Sequence, residues 1–137
     1  MAIQLKDVHF AYPETPDNDI LHIANWSLST GEQVFVHGPS GGGKSTLLNL
    51  LSGMLTATSG EVNVLGERLE TMGARQRDRF RANHIGYIFQ QFNLIPYIDA
   101  IDNIQLAHQF ANKNPQPVLI DEIKSLLSTF HIPQADW

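Results

Sequence analysis

The chain of 137 residues has no cysteine, no long apolar run and no excess of basic residues. The lack of cysteine excludes disulfides, thiolate metal sites and a cysteine nucleophile. No apolar run approaches the roughly 20 residues that span a bilayer, so any membrane role is expected to act through a partner. The net charge of -5 argues against a broad electrostatic grip on nucleic acid, and we expect no nucleic-acid partner.

A secretory signal is also missing, because the first residues lack a basic segment followed by an apolar stretch. The sequence therefore predicts an intracellular protein. Its hydrophobic content of 42% with 17% charged residues is typical of a globular chain, and its length suits one compact domain. The six histidines are scattered without the spacing of metal ligands, and we predict no chemistry for them.

Glycine and proline divide the chain into short elements of alternating type. Apolar alternation predicts an antiparallel strand pair at the front, over residues 3–10 and 20–28. Further strands are predicted over 33–37, 61–65 and 84–89, the last of them buried. Helices are predicted over 44–54, 74–83, 99–110 and 119–130. A loop with Pro96 fills residues 90–99, and a cluster of helix breakers lies at 112–117.

A glycine-rich motif lies between a predicted strand and a predicted helix. The sequence GPSGGGKST at residues 38–46 matches the pattern G-x-x-x-x-G-K-[ST]. Glycines let backbone amides turn inward around phosphate oxygens, and the helix adds the positive end of its dipole to the same anion. The predicted nucleotide-binding residues are Gly38, Pro39, Ser40, Gly41, Gly42, Gly43, Lys44, Ser45 and Thr46.

Three side chains of this motif have separate predicted roles. Lys44 is expected to reach the β- and γ-phosphates, Ser45 to hold Mg²⁺ through its hydroxyl, and Thr46 to face the α-phosphate. The alternative is a glycine loop without a nucleotide, in which Lys44 is a solvated lysine at a helix start. A chance match to the four specified positions is expected in roughly one in a few hundred chains of this length, which favours nucleotide binding.

Several segments together resemble the nucleotide-binding subunit of ATP-binding-cassette (ABC) transporters in order and spacing. Besides the motif at 38–46, they are LLNLLSGM at 47–54, TSGEV at 58–62 and IGYIFQQFNLIP at 85–96. The last segment resembles the Q-loop of the family. Its sequence is similar to the Q-loops in the branch of lipoprotein-release, macrolide-efflux and cell-division ATPases. The resemblance implies an α/β P-loop NTPase core with an N-terminal antiparallel β subdomain and the start of a helical subdomain, incomplete at the C-terminus.

The resemblance also assigns ligands and partners. ATP and Mg²⁺ are the implied cofactors. Gln90 occupies the position of the glutamine that reaches Mg²⁺ and the attacking water, and with Lys44 it is a predicted catalytic residue. Tyr12 resembles the aromatic that stacks on adenine. The alternatives without a role at the nucleotide are a polar residue at a strand end for Gln90 and an ordinary strand aromatic for Tyr12.

The implied partners are an integral-membrane permease, contacted by the segment after Gln90, and a second ABC subunit, so that two copies sandwich two ATP molecules. The resemblance places such a protein in the cytoplasm, on the inner face of the cell membrane. It also implies three parts of an incomplete nucleotide-binding domain. They are an antiparallel β part over 1–30, the P-loop core to the Q-loop over 31–90 and the start of the helical subdomain over 91–137.

The family's signature motif LSGGQ, Walker B aspartate, catalytic glutamate, D-loop and switch histidine have no counterpart in this sequence. The resemblance therefore implies ATP hydrolysis by the intact protein and at most binding by this chain. We also expect the chain alone to be poorly soluble, because a missing neighbour strand would leave an exposed sheet edge. Two alternatives stay open: a non-transport ABC ATPase of DNA repair or translation, and a nucleotide-binding fragment without turnover.

Three segments imitate functional motifs. The sequence LSG at 51–53 imitates the start of the signature but is expected to end the P-loop helix. The sequence VLIDE at 118–122 imitates a Walker B strand, with Asp121 as Mg²⁺ ligand and Glu122 as base, yet its periodicity favours an ordinary amphipathic helix. Arg75, Arg77, Arg79 and Arg81 are expected to form a solvated face.

Overall fold

The computed structural model describes residues 1–91, 93–111 and 120–137. Within these residues the chain divides into two units, Met1–Arg81 and Ala82–Trp137.

The first unit is built on a four-stranded antiparallel sheet. Its strands are β1 (Ile3–Phe10), β2 (Leu21–Leu28), β3 (Ser59–Val64) and β4 (Glu67–Arg68), in the spatial order β2-β1-β3-β4. The predicted opening pair is confirmed, and so is the strand predicted over 61–65, which corresponds to β3. β1 lies between two partners, so both of its edges are hydrogen-bonded, and its side chains Leu5, Val8 and Phe10 are buried.

A β-bulge interrupts the pairing of β1 with β3 between Lys6 and His9. Asp7 has a φ of 47° there, and the facing Gly60 has a φ of 90°. A Cβ at Gly60 would clash with the carbonyl oxygen of Asp7. Only glycine satisfies both the backbone conformation and the close approach, so the sequence Ser59-Gly60 fixes the register of this pair.

Two helices accompany the sheet, α1 (Lys44–Leu51) and α2 (Ala74–His84), with a 3-10 turn at Leu69–Thr71. Both predicted helices are confirmed, although α1 is shorter than expected. It ends at Leu51, is followed by Ser52 as C-cap, and Gly53 then has a φ of 72°. The LSG segment is therefore a helix end, as expected. The core of this unit joins the sheet to both helices through Leu5, Val8, Phe10, Leu50, Val62, Val64, Leu69 and Phe80.

The second unit contains α3 (Ala100–Ala111) and α4 (Ile120–Thr129), which are in contact. Ile123 and Leu127, one helical turn apart, are buried. Asp121 and Glu122 are exposed in the first turn of α4, which confirms a helix rather than a Walker B strand at these positions. The predicted breaker cluster at 112–117 lies outside the described residues. Within the described residues, no helix is long and apolar enough to cross a membrane.

Two predicted strands are wrong. Residues 33–37 and 85–89 belong to no strand of the described chain, and His84 is the last residue of α2. The segment expected to be buried leaves Ile88 97% exposed, and Phe35 in the other segment is 85% exposed. A strand needs a neighbour for its N–H and C=O groups, and the described residues provide none for either segment.

In both segments, rings two residues apart contact each other. The rings of Phe35 and His37 stack with centroids 6.1 Å apart, and those of Tyr87 and Phe89 lie 4.5 Å apart. Side chains two residues apart lie on the same side of an extended backbone, so these contacts fit an extended conformation. The absence of a neighbour among the described residues explains why neither segment forms a ladder.

Candidate nucleotide-binding site

The loop at residues 38–43 has open space beside its backbone at two glycines. Gly41 and Gly43 have φ values of 80° and 77°, in the left-handed region that other residues rarely adopt. A Cβ at Gly38 or Gly41 would meet nothing within 4 Å, so space adjoins the backbone there. The amide of Gly42 donates to the carbonyl of Pro39 over 3.1 Å and closes a turn. Such a loop fits a phosphate group, which needs close approach to backbone amides.

The loop leads directly into α1. Gly43 is the N-cap and offers no side chain to the first amides of the helix, which have no intrahelical acceptor. No acidic residue lies in the first turn. The partial positive charge of this helix end is therefore available to an external anion.

Lys44 begins α1 and folds back over the loop. Its Nζ donates to the carbonyl oxygens of Gly38, over 2.8 Å, and Pro39, over 2.6 Å. The cation thus lies on the loop without any acidic partner among these bonds. The ammonium group of Lys44 therefore lies beside the glycine backbone, where it can donate charge-assisted hydrogen bonds to an anion. Ser45, the next residue, is exposed.

Tyr12 lies close to the same helix. Its hydroxyl is 3.2 Å from Oγ1 of Thr46, and its ring packs edge-on against Phe10 with centroids 4.9 Å apart. The ring is 37% exposed, so part of its surface is accessible to a ligand. The structure thus brings together Tyr12 and the motif at 38–46, which the sequence placed in separate segments.

Sequence reasoning missed the supports of Tyr12. The amide of Ala11 donates to Oγ1 of Thr58 over 3.1 Å, and the amide of Thr58 donates to the carbonyl of His9 over 2.9 Å. Thr58 lies 47 residues further along the chain than Ala11. No local pattern marks such a contact, because it depends on the pairing of β1 with β3.

Gln90 lies in the second unit, where it is exposed at a bend. Its predicted role at the metal and the attacking water stays a prediction. The motif residues and Tyr12 all belong to the first unit.

The segment after Gln90 is held by Asn103, a residue that sequence reasoning also missed. The side chain of Asn103 accepts from the amide of Ile95 over 2.9 Å and donates to the carbonyls of Ile95, Ile98 and Asp99. We call residues 95–99, whose backbone Asn103 binds, the clamped stretch. Tyr97 lies in this stretch and is 86% exposed, and Leu94 directly precedes it and is 65% exposed. A fixed segment of backbone therefore presents both side chains to solvent.

The arginines of α2 are only partly solvated. Arg75 and Arg79 are exposed, as expected. Arg77 donates to the carbonyl of Met72, and Arg81 donates to the carbonyl of Gly53 and to Asp78. The bond from Arg81 to Gly53 ties α2 to the residues that follow α1, so the helix contributes to the packing of the unit.

Residues 21–136 match the family model described as ABC transporter. The chain belongs to the ABC transporter family. An ABC transporter ATP-binding protein homologue of Mycoplasma pneumoniae is 34% identical over 131 residues, which cover 95% of this chain and 28% of that protein. The lipoprotein-releasing system ATP-binding protein LolD of Francisella tularensis is 36% identical over 107 residues, 77% of this chain and 46% of LolD. The chain thus spans less than half of these relatives.

Solved ABC cassettes confirm the fold. The dimeric cassette MJ0796 bound to ADP and phosphate superposes with a TM-score of 0.85 at 28% identity. The match covers 98% of this chain and 59% of that cassette. A second dimeric structure of the same cassette gives a TM-score of 0.84 at 29% identity. The predicted α/β P-loop architecture, represented here by its N-terminal part, is therefore correct.

Proposed function

We propose that this protein binds ATP with Mg²⁺ through residues 38–46 and, at full length, hydrolyses ATP to change the conformation of a membrane permease. The observation that carries the proposal is the open glycine loop with Lys44 folded onto it, immediately before a helix whose first turn has no acidic residue. An accessible glycine backbone, a cation and a helix N-terminus all favour the same ligand, a group of linked phosphates.

The first test is the affinity for Mg-ATP in the protein at full length, compared with Lys44→Ala. Removing a charged contact to a phosphate costs about 2 kcal/mol or more, so we expect affinity to fall at least about 30-fold. Lys6→Ala is the matched control, because Lys6 is a half-exposed lysine of β1 whose Nζ lies 3.9 Å from Glu61. Equal affinity of wild type and Lys44→Ala would refute the proposed site.

Within this site we assign Ser45 to Mg²⁺, together with Gln90. Bound Mg²⁺ would neutralise charge on the β- and γ-phosphate oxygens. Ser45 is exposed in the first turn of α1, and its hydroxyl is a hard oxygen ligand of the kind that Mg²⁺ prefers. Ser45→Ala should raise the Mg²⁺ concentration needed for half-maximal ATP binding, while Ser45→Thr should not. An unchanged Mg²⁺ requirement in Ser45→Ala would remove Ser45 from the site.

Gln90 is proposed to act with Lys44 in turnover by orienting the attacking water. Gln90→Ala should lower the ATPase rate of the full-length protein by more than its ATP affinity, because a water-positioning group acts mainly in the transition state. Gln91→Ala is the neighbouring control. A rate and an affinity that fall by the same factor would contradict a role in turnover.

The permease is proposed to bind the clamped stretch after Gln90, through Leu94 and Tyr97. The support is their exposure together with the fixed backbone that Asn103 provides. Tyr97→Ser should weaken co-purification with the permease and leave ATP affinity unchanged, whereas Phe35→Ser, on an aromatic residue of the first unit with nearly the same exposure of 85%, should not weaken that co-purification. We place the protein in the cytoplasm, on the inner face of the membrane, as a pair of ABC subunits.

The nucleotide-binding domain is proposed to have three parts, over residues 1–30, 31–90 and 91–137. The protein is proposed to belong to the branch of lipoprotein-release, macrolide-efflux and cell-division ATPases, which the likeness to LolD supports. Deleting residues 91–137 from the full-length protein should abolish permease binding. The remaining part should still bind ATP at residues 38–46. Loss of ATP binding in that variant would argue against this division.

A further inference from the structure

The proposed contacts with the base and with the phosphates are joined by a direct bond. The hydroxyl of Tyr12 and Oγ1 of Thr46 are 3.2 Å apart. Thr46 is 6% exposed and lies in the first turn of α1, the helix that follows the glycine loop. A buried hydroxyl of this kind needs a partner, and here the partner is the one aromatic ring expected to contact adenine.

A second contact joins the same two parts of the chain. We call residues 11–20, between β1 and β2, the aromatic loop. Gly43 lies against the far end of this loop, because a Cβ there would be 2.7 Å from Cδ2 of Leu21 and 3.1 Å from the carbonyl oxygen of Ile20. The start of α1 therefore touches the loop near both of its ends.

The aromatic loop is itself well fixed. The amide of Ala11 is bound by Thr58, the amide of Ile20 donates to the carbonyl of Phe10 over 2.8 Å, and His9 contacts Asp19 over 2.7 Å. The Tyr12 ring has only two side-chain torsions, and its contacts with Phe10 and Thr46 fix both. The orientation of the ring is thus set before any ligand arrives.

The hydroxyl chemistry allows Thr46 to serve two contacts at once. A threonine hydroxyl has one donor and two acceptor positions. When the Tyr12 hydroxyl donates, Thr46 accepts and keeps its own proton for a phosphate oxygen. The bond to Tyr12 therefore does not compete with the predicted position of Thr46 at the α-phosphate.

We propose that Thr46 is a positioning residue for the base: its hydroxyl holds the Tyr12 ring in the orientation that stacks on adenine, and so couples base recognition to the phosphate loop. This inference rests on the proposed ATP binding. It adds that the two halves of the nucleotide are recognised by one preorganised unit, in which ordering the ring costs nothing at the moment of binding.

The test uses the protein at full length and compares its affinities for Mg-ATP and for magnesium tripolyphosphate, which has no base. The ratio of the two affinities isolates the contribution of the base. Tyr12→Phe keeps the ring and removes the hydroxyl, and we expect it to lower the ratio by about 3- to 10-fold, the loss of one neutral hydrogen bond. Thr46→Val should lower the ratio by the same factor, whatever it does to the tripolyphosphate affinity alone.

The pair of variants gives a sharper result than either alone. In the double variant the ratio should fall no further than in the single variants, because both remove one bond. Thr46→Ser keeps the hydroxyl and should restore the wild-type ratio. Melting temperatures of all variants identify any loss of folding, and Tyr12→Leu defines the ratio expected without a ring.

Several outcomes would overturn the inference. A ratio unchanged in Tyr12→Phe means that the hydroxyl does not position the ring, and a raised ratio means that the bond holds the ring away from the base. Additive losses in the double variant mean that the two residues act separately. If the wild-type protein binds neither ATP nor tripolyphosphate, the proposed function itself fails, which is distinct from wild-type binding with an insensitive ratio.

Discussion

In β1 the apolar side chains of Leu5, Val8 and Phe10 are buried, whereas Phe35 in the segment ahead of the glycine loop is 85% exposed. β1 roughly alternates apolar and polar residues, whereas residues 34–36 are apolar in succession, and both segments carry rings or aliphatic side chains suited to a strand. β1 has a hydrogen-bonded neighbour on each side, while residues 33–37 have none among the described residues.

The difference shows what a strand-forming composition determines. Rings and β-branched side chains favour an extended backbone, and in residues 33–37 the ring of Phe35 stacks on that of His37. Burial of such side chains requires a second layer or a neighbour strand, which is a property of other parts of the protein. A strand can therefore be indicated by its own residues and still be absent from the sheet.

The largest expected effect concerns the ladder that β1 forms with β3. Gly60→Ala places a methyl group against the carbonyl of Asp7 and forces a left-handed conformation, so we expect a loss of about 4 kcal/mol in the free energy of unfolding. Gly66→Ala is the matched control, since Gly66 has a φ of 86° but an open environment. It should lose only about 1 kcal/mol.

Urea unfolding of both glycine variants gives the comparison. If Gly60→Ala lost no more stability than Gly66→Ala, the close approach of β1 and β3 at the bulge would be wrong.

The second prediction contrasts the paired and unpaired segments directly. Leu5→Ala removes a fully buried side chain and should cost about 3 kcal/mol of unfolding free energy, whereas Phe35→Ala should change it by less than about 0.5 kcal/mol. The midpoint of urea unfolding measures both. A large loss in Phe35→Ala would mean that residues 33–37 are packed against a neighbour after all.

The third prediction concerns the support of the aromatic loop. Thr58→Val removes the hydroxyl that accepts from the Ala11 amide, and Ala11 is only 9% exposed. Leaving this buried amide unpaired should lower the free energy of unfolding by about 1.5 kcal/mol. Thr58→Ser retains the hydroxyl and should lose markedly less. Thermal unfolding of the two variants tests this, and equal losses would show that the methyl group of Thr58, not its hydroxyl, stabilises the loop.

The smallest expected effect is a pH dependence at the edge of the sheet. Partial burial raises the pKa of Glu70, but hydrogen bonds from the Val62 amide and from the Arg68 guanidinium outweigh it, and the pKa of Glu70 is lowered from its ordinary value of 4.5. A depressed carboxyl pKa stabilises the folded state above pH 4.5, and this stabilisation is lost as the pH falls through the folded pKa.

Glu70→Gln should therefore cost less than about 1 kcal/mol at neutral pH and should flatten the loss of stability below pH 4.5. Stability curves against pH for wild type and variant provide the measurement. If stability fell at acidic pH as steeply in Glu70→Gln as in the wild type, the ionisation of Glu70 would not contribute to the pH dependence of stability.

The opening strands and the glycine-rich loop were predictable because their signals are local. The alternation at residues 3–10 and the motif around Lys44 each fall within one short window. The supports of the site were not predictable. Thr58 and Asn103 act through bonds to residues that neither motif nor periodicity connects with them.

Residues 38–46 alone were enough to place the glycine-rich loop, the helix that follows it and the lysine that lies on it. Glycine conformations and helix starts are set by neighbouring residues, so a window of about nine positions contains the necessary information. The three-dimensional fold was needed to show which extended segments enter the sheet and that Tyr12 meets Thr46. Both depend on pairing between residues far apart in the chain, where the free energy comes from burial and from shared hydrogen bonds that no single segment provides.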